Sequence, residues 1–235
     1  MTFPGLRTVP YGVQKVAPGQ HMPRHQHASS YVTLVVEGAY EQVGYAGRWR
    51  VQAGDVLVQP TLDCHSDTML SRGLVLMRLP WRHEPGLGGA WRGLDVDELL
   101  RAGARDPAAA GGLVAALVRG RAPLAPVVDH WADLLAARLR DDPRLSISGW
   151  AEAAGRSREA TARAFHARYG VAPARLRTEL RARAAWLRVV GSGEPLSAIA
   201  LDLGFADQPH MSRAVRWLTG ASPGQWRAAR GGAAR

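Results

Sequence analysis

Three histidines fall where their imidazoles could meet. His25 and His27 are two residues apart in GQHMPRHQH, so in an extended segment both side chains point to one face. His65 follows the turn-rich stretch 54–60, which reads as the next hairpin. Neutral imidazole is a good ligand for divalent ions. The three histidines therefore predict a metal site, zinc first, with one coordination position left open for water or an anionic effector. The competing reading is a ligand pocket or polar core without metal. Asp63, Cys64 and Asp67 are neighbours that could add a ligand, although a lone cysteine is more often a buried hydrophobe.

A second set lies towards the C-terminus. Arg158, Glu159, Ala162 and Arg163 occupy the first turns of one predicted helix, and Gln208, Pro209, His210, Ser212 and Arg213 those of another. Arginine can bond guanine through two hydrogen bonds, glutamine can do the same for adenine, and glutamate accepts from cytosine. Base edges of duplex DNA are thus the chemistry these positions offer. Arg163 and Arg213 stand in equivalent places. That suits phosphate contact, or ion pairs within the domain, at least as well as base reading.

Charge agrees with a polyanionic partner. The chain has 235 residues and a net charge of +10, and Lys15 is its only lysine. From Arg144 onward there are 15 arginines and 6 acidic residues, so most of the excess sits in the last two-fifths. The single cysteine excludes an internal disulfide and suits a reducing compartment. No apolar run approaches the roughly 20 residues of a membrane helix, and the first residues lack a signal-peptide core. A soluble cytoplasmic protein with no membrane partner is expected.

These residues need elements to hold them. Residues 10–80 read as short strands (31–36, 49–51, 56–59, 74–79) punctuated by Gly and Pro, which predicts an antiparallel barrel or sandwich. Residues 84–93 read as a Gly-rich connector, 96–102 and 113–118 as short helices, and 122–126 as a linker. From 127 onward only helices are expected: one through Val128, Trp131, Leu135 and Leu139, then 148–154, 158–168, a long one from Pro173 to about Val190, 197–203, 209–218, and a last one from Pro223.

The helical half contains a repeat. Residues 150–173 align with 199–223, pairing Ala151 with Ala200, Gly155 with Gly204, Arg163 with Arg213, Gly170 with Gly220 and Pro173 with Pro223. Each copy is a short helix, a glycine turn and a longer helix, which is the helix-turn-helix plan. Phe165, Val215 and Phe205 are the expected core wedges.

The stretch IALDLGFADQPHMSRAVRWLTGASPGQWR (199–227) resembles the second-unit signature of AraC/XylS-type regulators. Met211 and Val215 stand where that family usually has Phe, and Trp217 where a basic residue is common. The resemblance implies two units on successive major-groove segments, joined by a linker helix at about 174–190. The N-terminal part resembles a cupin. Gly19, His25, His27 and Gly38 fit the first cupin motif, and Gly54, Pro60 and His65 fit the second. Tyr31 replaces the motif's Glu, and Leu62 and Met69 replace its Gly and Asn. The cupin resemblance implies a three-histidine metal site lacking its carboxylate.

Together these readings predict an α+β multidomain chain: a cupin-like antiparallel β-barrel (1–95), a helical connector (96–126) and an all-α domain with two helix-turn-helix units (127–235). The expected function is sequence-specific transcription regulation. Its partners would be double-stranded DNA, a small-molecule effector, the transcription machinery and a second copy of the chain in a homodimer. A metal-dependent cupin enzyme with an accessory DNA-binding domain is the alternative, and the missing carboxylate weighs against it.

Overall fold

The computed structural model describes residues 6–83 and 88–233. The chain divides into two compact units, one running to Val128 and one beginning at Asp129. The first contains β1 (Leu6–Arg7), β2 (Gly12–Val16), β3 (His21–His27), β4 (Tyr31–Glu37) and β5 (Ala39–Gly44). It continues with β6 (Gly47–Gln52), β7 (Val56–Gln59), β8 (Cys64–Met69), β9 (Leu74–Pro80) and β10 (Gly89–Trp91). One sheet has the order β1-β3-β8-β5-β6, the other β10-β7-β4-β9-β2. Pairing is antiparallel except between β1 and β3.

The near-continuous apolar runs of β4 and β7 reflect a sheet covered on both faces. Val32, Leu34, Val56, Val58, Met77 and Leu79 form one face and pack with Val114, Val118 and Leu99 of two helices. On the other face Val35, Leu57, Leu74 and Leu76 meet Tyr40, Trp49 and Val51 of the opposing sheet. The stretch 96–126 supplies those two helices, α1 (Val96–Arg105) and α2 (Pro107–Val118). Asp95 and Asp106 cap them, and Pro107 sits at the favoured first position. A Cβ added at Gly111 would collide with the Pro80 carbonyl oxygen, so only glycine lets α2 lie this close to β9. Helix α2 therefore starts well before residue 113. Its Ala- and Gly-rich first half carries little periodic signal.

Other expectations shift as well. His25 and His27 stand at the C-terminal end of β3. Within the expected connector 84–93, residues 89–91 form β10 on β7, and 84–87 lie outside the described residues. Strands β3, β5 and β8 have no apolar run because they carry polar side chains into the interior, Gln42, His65 and Asp67 among them.

The second unit is helical: α3 (Trp131–Asp141), α4 (Ile147–Ala153), α5 (Arg158–Tyr169), α6 (Pro173–Gly191), α7 (Leu196–Asp202), α8 (Gln208–Thr219) and α9 (Pro223–Ala233). Buried Asp133 ties α3 to α5, since it accepts from the Tyr169 hydroxyl at 2.9 Å. Among the described residues no helix is long and apolar enough to cross a membrane.

Candidate nucleic-acid interface and histidine cluster

Antiparallel register sets His25 directly opposite His65. With His27 they form a buried group whose candidate ligand atoms lie within 4.8 Å of one another. Only 1%, 3% and 1% of His25, His27 and His65 is exposed. The Nδ1 of His25 donates to the Pro23 carbonyl at 2.9 Å, and that of His27 to the Arg7 carbonyl at 3.2 Å. A carbonyl only accepts, so both rings carry their proton on Nδ1 and present the Nε2 lone pair. His65 turns Nδ1 towards Asp63 Oδ2 at 3.5 Å and Nε2 towards the Tyr31 hydroxyl at 3.3 Å. Rings oriented by carbonyls and a carboxylate behind them are what metal-ligating imidazoles require. The His27 Nε2 is buried with no hydrogen-bond partner, so a cation would satisfy an orphaned acceptor. The donor set fits a zinc-type ion.

The cluster's neighbours are sorted by strand alternation. Asp63 and Asp67 are two residues from His65 and share its side of the chain, whereas Cys64 alternates to the other side and is fully buried there. Cys64 is thus not placed to complete the site. Tyr31, at the position of the motif's Glu, contributes a hydroxyl, and burial raises its pKa well above the usual phenol range.

Burial, followed by the neighbouring His65, lowers the His25 pKa to about 4. Burial, then His65 and His25, lowers that of His27 to about 3. Below the ordinary value of 6.5 the unfolded chain takes up protons that these buried rings refuse. Stability of the metal-free chain should therefore be complete above about pH 6.5 and fall until the pH reaches the folded values. Urea titrations at a series of pH values check this. An H25Q/H27Q variant with an unchanged slope would refute it.

The two helix-turn-helix units share their local chemistry. The turn glycines Gly155 and Gly204 have φ of 64° and 71°, a left-handed conformation that other residues rarely adopt. Arg156 and Phe205 donate their backbone N–H groups to the Ala151 and Ala200 carbonyls, each at 2.9 Å. Ser157 caps α5 and Asp207 caps α8. Left-handed Gly170 and Gly220 end these helices. Ala151, Ala200, Phe165, Val215 and Phe205 are all buried, as expected of the residues that pack each unit.

The repeat also extends further than the aligned segments. Arg177 donates to the Leu145 carbonyl and Arg227 to the Glu194 carbonyl. Each arginine stands four residues after the repeat's proline and clasps the chain just before the unit's first helix. That shared spacing was the signal available in the sequence.

Residues 150–229 match the family profile described as a helix-turn-helix domain. They are an AraC-type helix-turn-helix domain. The chain is a DNA-binding transcription regulator. Among solved structures it is similar to ToxT from Vibrio cholerae with an unsaturated fatty acid bound, at 11% identity over 92% of this chain and 93% of that one, with a TM-score of 0.41. An AraC-type transcriptional regulator from Chromobacterium violaceum is 26% identical over 41% of this chain and 88% of its own, with a TM-score of 0.38. The C-terminal domain of AraT, a response regulator from Geobacillus stearothermophilus, is 24% identical over 41% of this chain and 85% of its own, with a TM-score of 0.37. No curated protein matches the chain.

Within the helix-turn-helix domain, Arg158, Glu159 and Arg163 are exposed on α5, and Ala162 is half-buried. Gln208, Pro209 and Arg213 are exposed on α8, while Ser212 and His210 are half-buried. The His210 ring packs edge-on against Phe205, with centroids 5.3 Å apart. Several other arginines of this unit are engaged. Arg188 pairs with Glu194 and Asp202, and Arg175 pairs with Glu179 and stacks over Trp217. Arg163 and Arg213 make no ion pair among the described residues, which leaves their charge for an outside partner.

Proposed function

We propose that the N-terminal unit controls this DNA-binding regulator through a divalent ion held by His25, His27 and His65, without catalysis. The observation that carries the reading is the orientation of the rings: two imidazoles donate backwards to carbonyls, the third faces Asp63, and a buried Nε2 is left unpaired. Bound there, the metal would supply a charge and an exchangeable coordination position, with Tyr31 beside it. Beside the histidines the space suits an ion. The neighbouring interior between Tyr31, Thr33, Gln42, Gln59 and Arg78 has room for about one water molecule. The test is DNA affinity of the full chain with added zinc and with a chelator. Equal affinity in both would sink control by metal.

For DNA readout we propose Arg158 and Gln208 as base readers. They open α5 and α8, are exposed, and differ between the units. Alanine at either should relax preference at one or two base pairs, by about 1–3 kcal/mol each. Affinities for a panel of single-base operator variants check it. A loss equal across the panel would assign the residue to phosphate instead.

A further inference from the structure

Because the two units repeat in register apart from one extra residue in the second unit's turn, their differences mark what one does alone. Thr161 on α5 stands where α8 has Met211, which is fully buried. Ala172 stands where Ser222 precedes α9. The Ser222 hydroxyl accepts from the Gln225 N–H at 3.3 Å, while the Gln225 side chain accepts from the Ser222 N–H at 2.8 Å. Helix α6 has no side-chain cap at Ala172. Pro173 has no N–H, and the Arg175 and Leu176 N–H groups both donate to the Ala172 carbonyl, which leaves the Ala174 N–H as the free donor of that turn.

Both differences open onto one cleft of about 360 Å3 between α4, α5 and the start of α6. Thr161 lines it, is 1% exposed, and its hydroxyl has no hydrogen-bond partner among the described residues. Arg158 and Arg177 line it too, and the Arg177 Nε is likewise unpaired. No carboxylate is among the lining residues. A hydroxyl, two guanidinium groups and the positive end of a 19-residue helix all favour an oxyanion. Ile147 and Pro173 add apolar wall.

We propose that this cleft takes one sugar–phosphate unit of the DNA backbone, beside the groove entered by α5. Phosphate oxygens meet Thr161 and the α6 terminus beside the Arg177 guanidinium, Arg158 reaches past them to the base edges, and the deoxyribose lies on the apolar wall. The first unit thereby holds a backbone clamp that the second fills with Met211. The inference rests on the DNA-binding reading of the two units.

The test uses the full chain and a duplex selected from a random pool by the wild-type protein. T161M places in the cleft the residue that the second unit uses there. It should bind about tenfold more weakly and lower the salt slope by about 0.9, with no loss of melting temperature. T161V keeps the cleft but removes the unpaired hydroxyl, so it should bind several-fold more weakly while melting higher. Duplexes with single neutral methylphosphonates should reveal one position that weakens the wild type and is silent in T161M. Wild-type affinity and slope in both variants would overturn the clamp. So would weakening that appears only together with a lower melting temperature. If inorganic phosphate, against chloride at equal ionic strength, stabilises the wild type but not T161M while their DNA binding is the same, the cleft takes free anions and the proposal falls. A wild-type chain that selects no duplex would overturn the DNA-binding reading and the clamp with it.

Discussion

Affinity for operator DNA should fall by a factor of about 10³–10⁵ as salt rises from about 50 to about 200 mM, the range for a protein neutralising about 6–10 phosphates. The expectation comes from how this domain's charge is arranged. Many of its arginines are bound internally: Arg168 to Asp129, Arg188 to Glu194 and Asp202, Arg177 and Arg227 to carbonyls. Arg163 and Arg213 are exposed on the two second helices and recur in register. Alanine at either should reduce affinity for every sequence alike and lower the salt slope by about 0.9. Fluorescence anisotropy over a salt series, on cognate and scrambled duplexes, measures both effects. A loss confined to one base pair would make these arginines base readers, and a flat salt response would remove the backbone term.

Zinc should stabilise the metal-free chain by about 2.7 kcal/mol when free zinc is about 100 times its dissociation constant, because an ion bound only by the folded state shifts the equilibrium by mass action. The basis is geometric. Three buried donors lie within 4.8 Å of one another, and two have their tautomer set by backbone carbonyls. Small ring movements would bring them to the about 2.0–2.1 Å typical of zinc–nitrogen bonds. Because burial holds the His25 and His27 pKa values near 4 and 3, protons should compete with the metal at these rings only well below the ordinary histidine range. Calorimetric melting of untagged full-length protein, with elemental analysis beside an H25A/H27A variant, tests this. Melting unmoved by zinc, with substoichiometric metal in both proteins, would refute the site.

The helical half was legible because its signals are local. A glycine with positive φ, a Ser or Asp cap and a 3.6-residue apolar period each depend on a few neighbours along the chain. The doubled pattern then specified the two units, down to the burial of Ala151, Phe165 and Val215. The spacing of His25, His27 and His65 likewise carries the histidine cluster in the sequence itself.

Tertiary structure decided what depends on register and on packing between distant segments. Strands β3, β5 and β8 bury Gln26, Gln42, His65 and Asp67, so the apolar alternation that marks a half-exposed strand is missing from them. Pairing of β3 with β8 put His65 opposite His25, with Asp63 on the same side of the chain and Cys64 turned away; a one-residue slip would have turned Cys64 towards the cluster instead. The packing of α1 and α2 on the second sheet likewise rests on residues far apart in sequence, such as Pro80 and Gly111. The sequence by itself determined the DNA-binding architecture, because helix starts, stops and faces are short-range properties. Which groups stand behind each histidine, and which arginines remain free for DNA, were decided by the fold, because a partner across a sheet or between helices is set only when distant strands and helices pack.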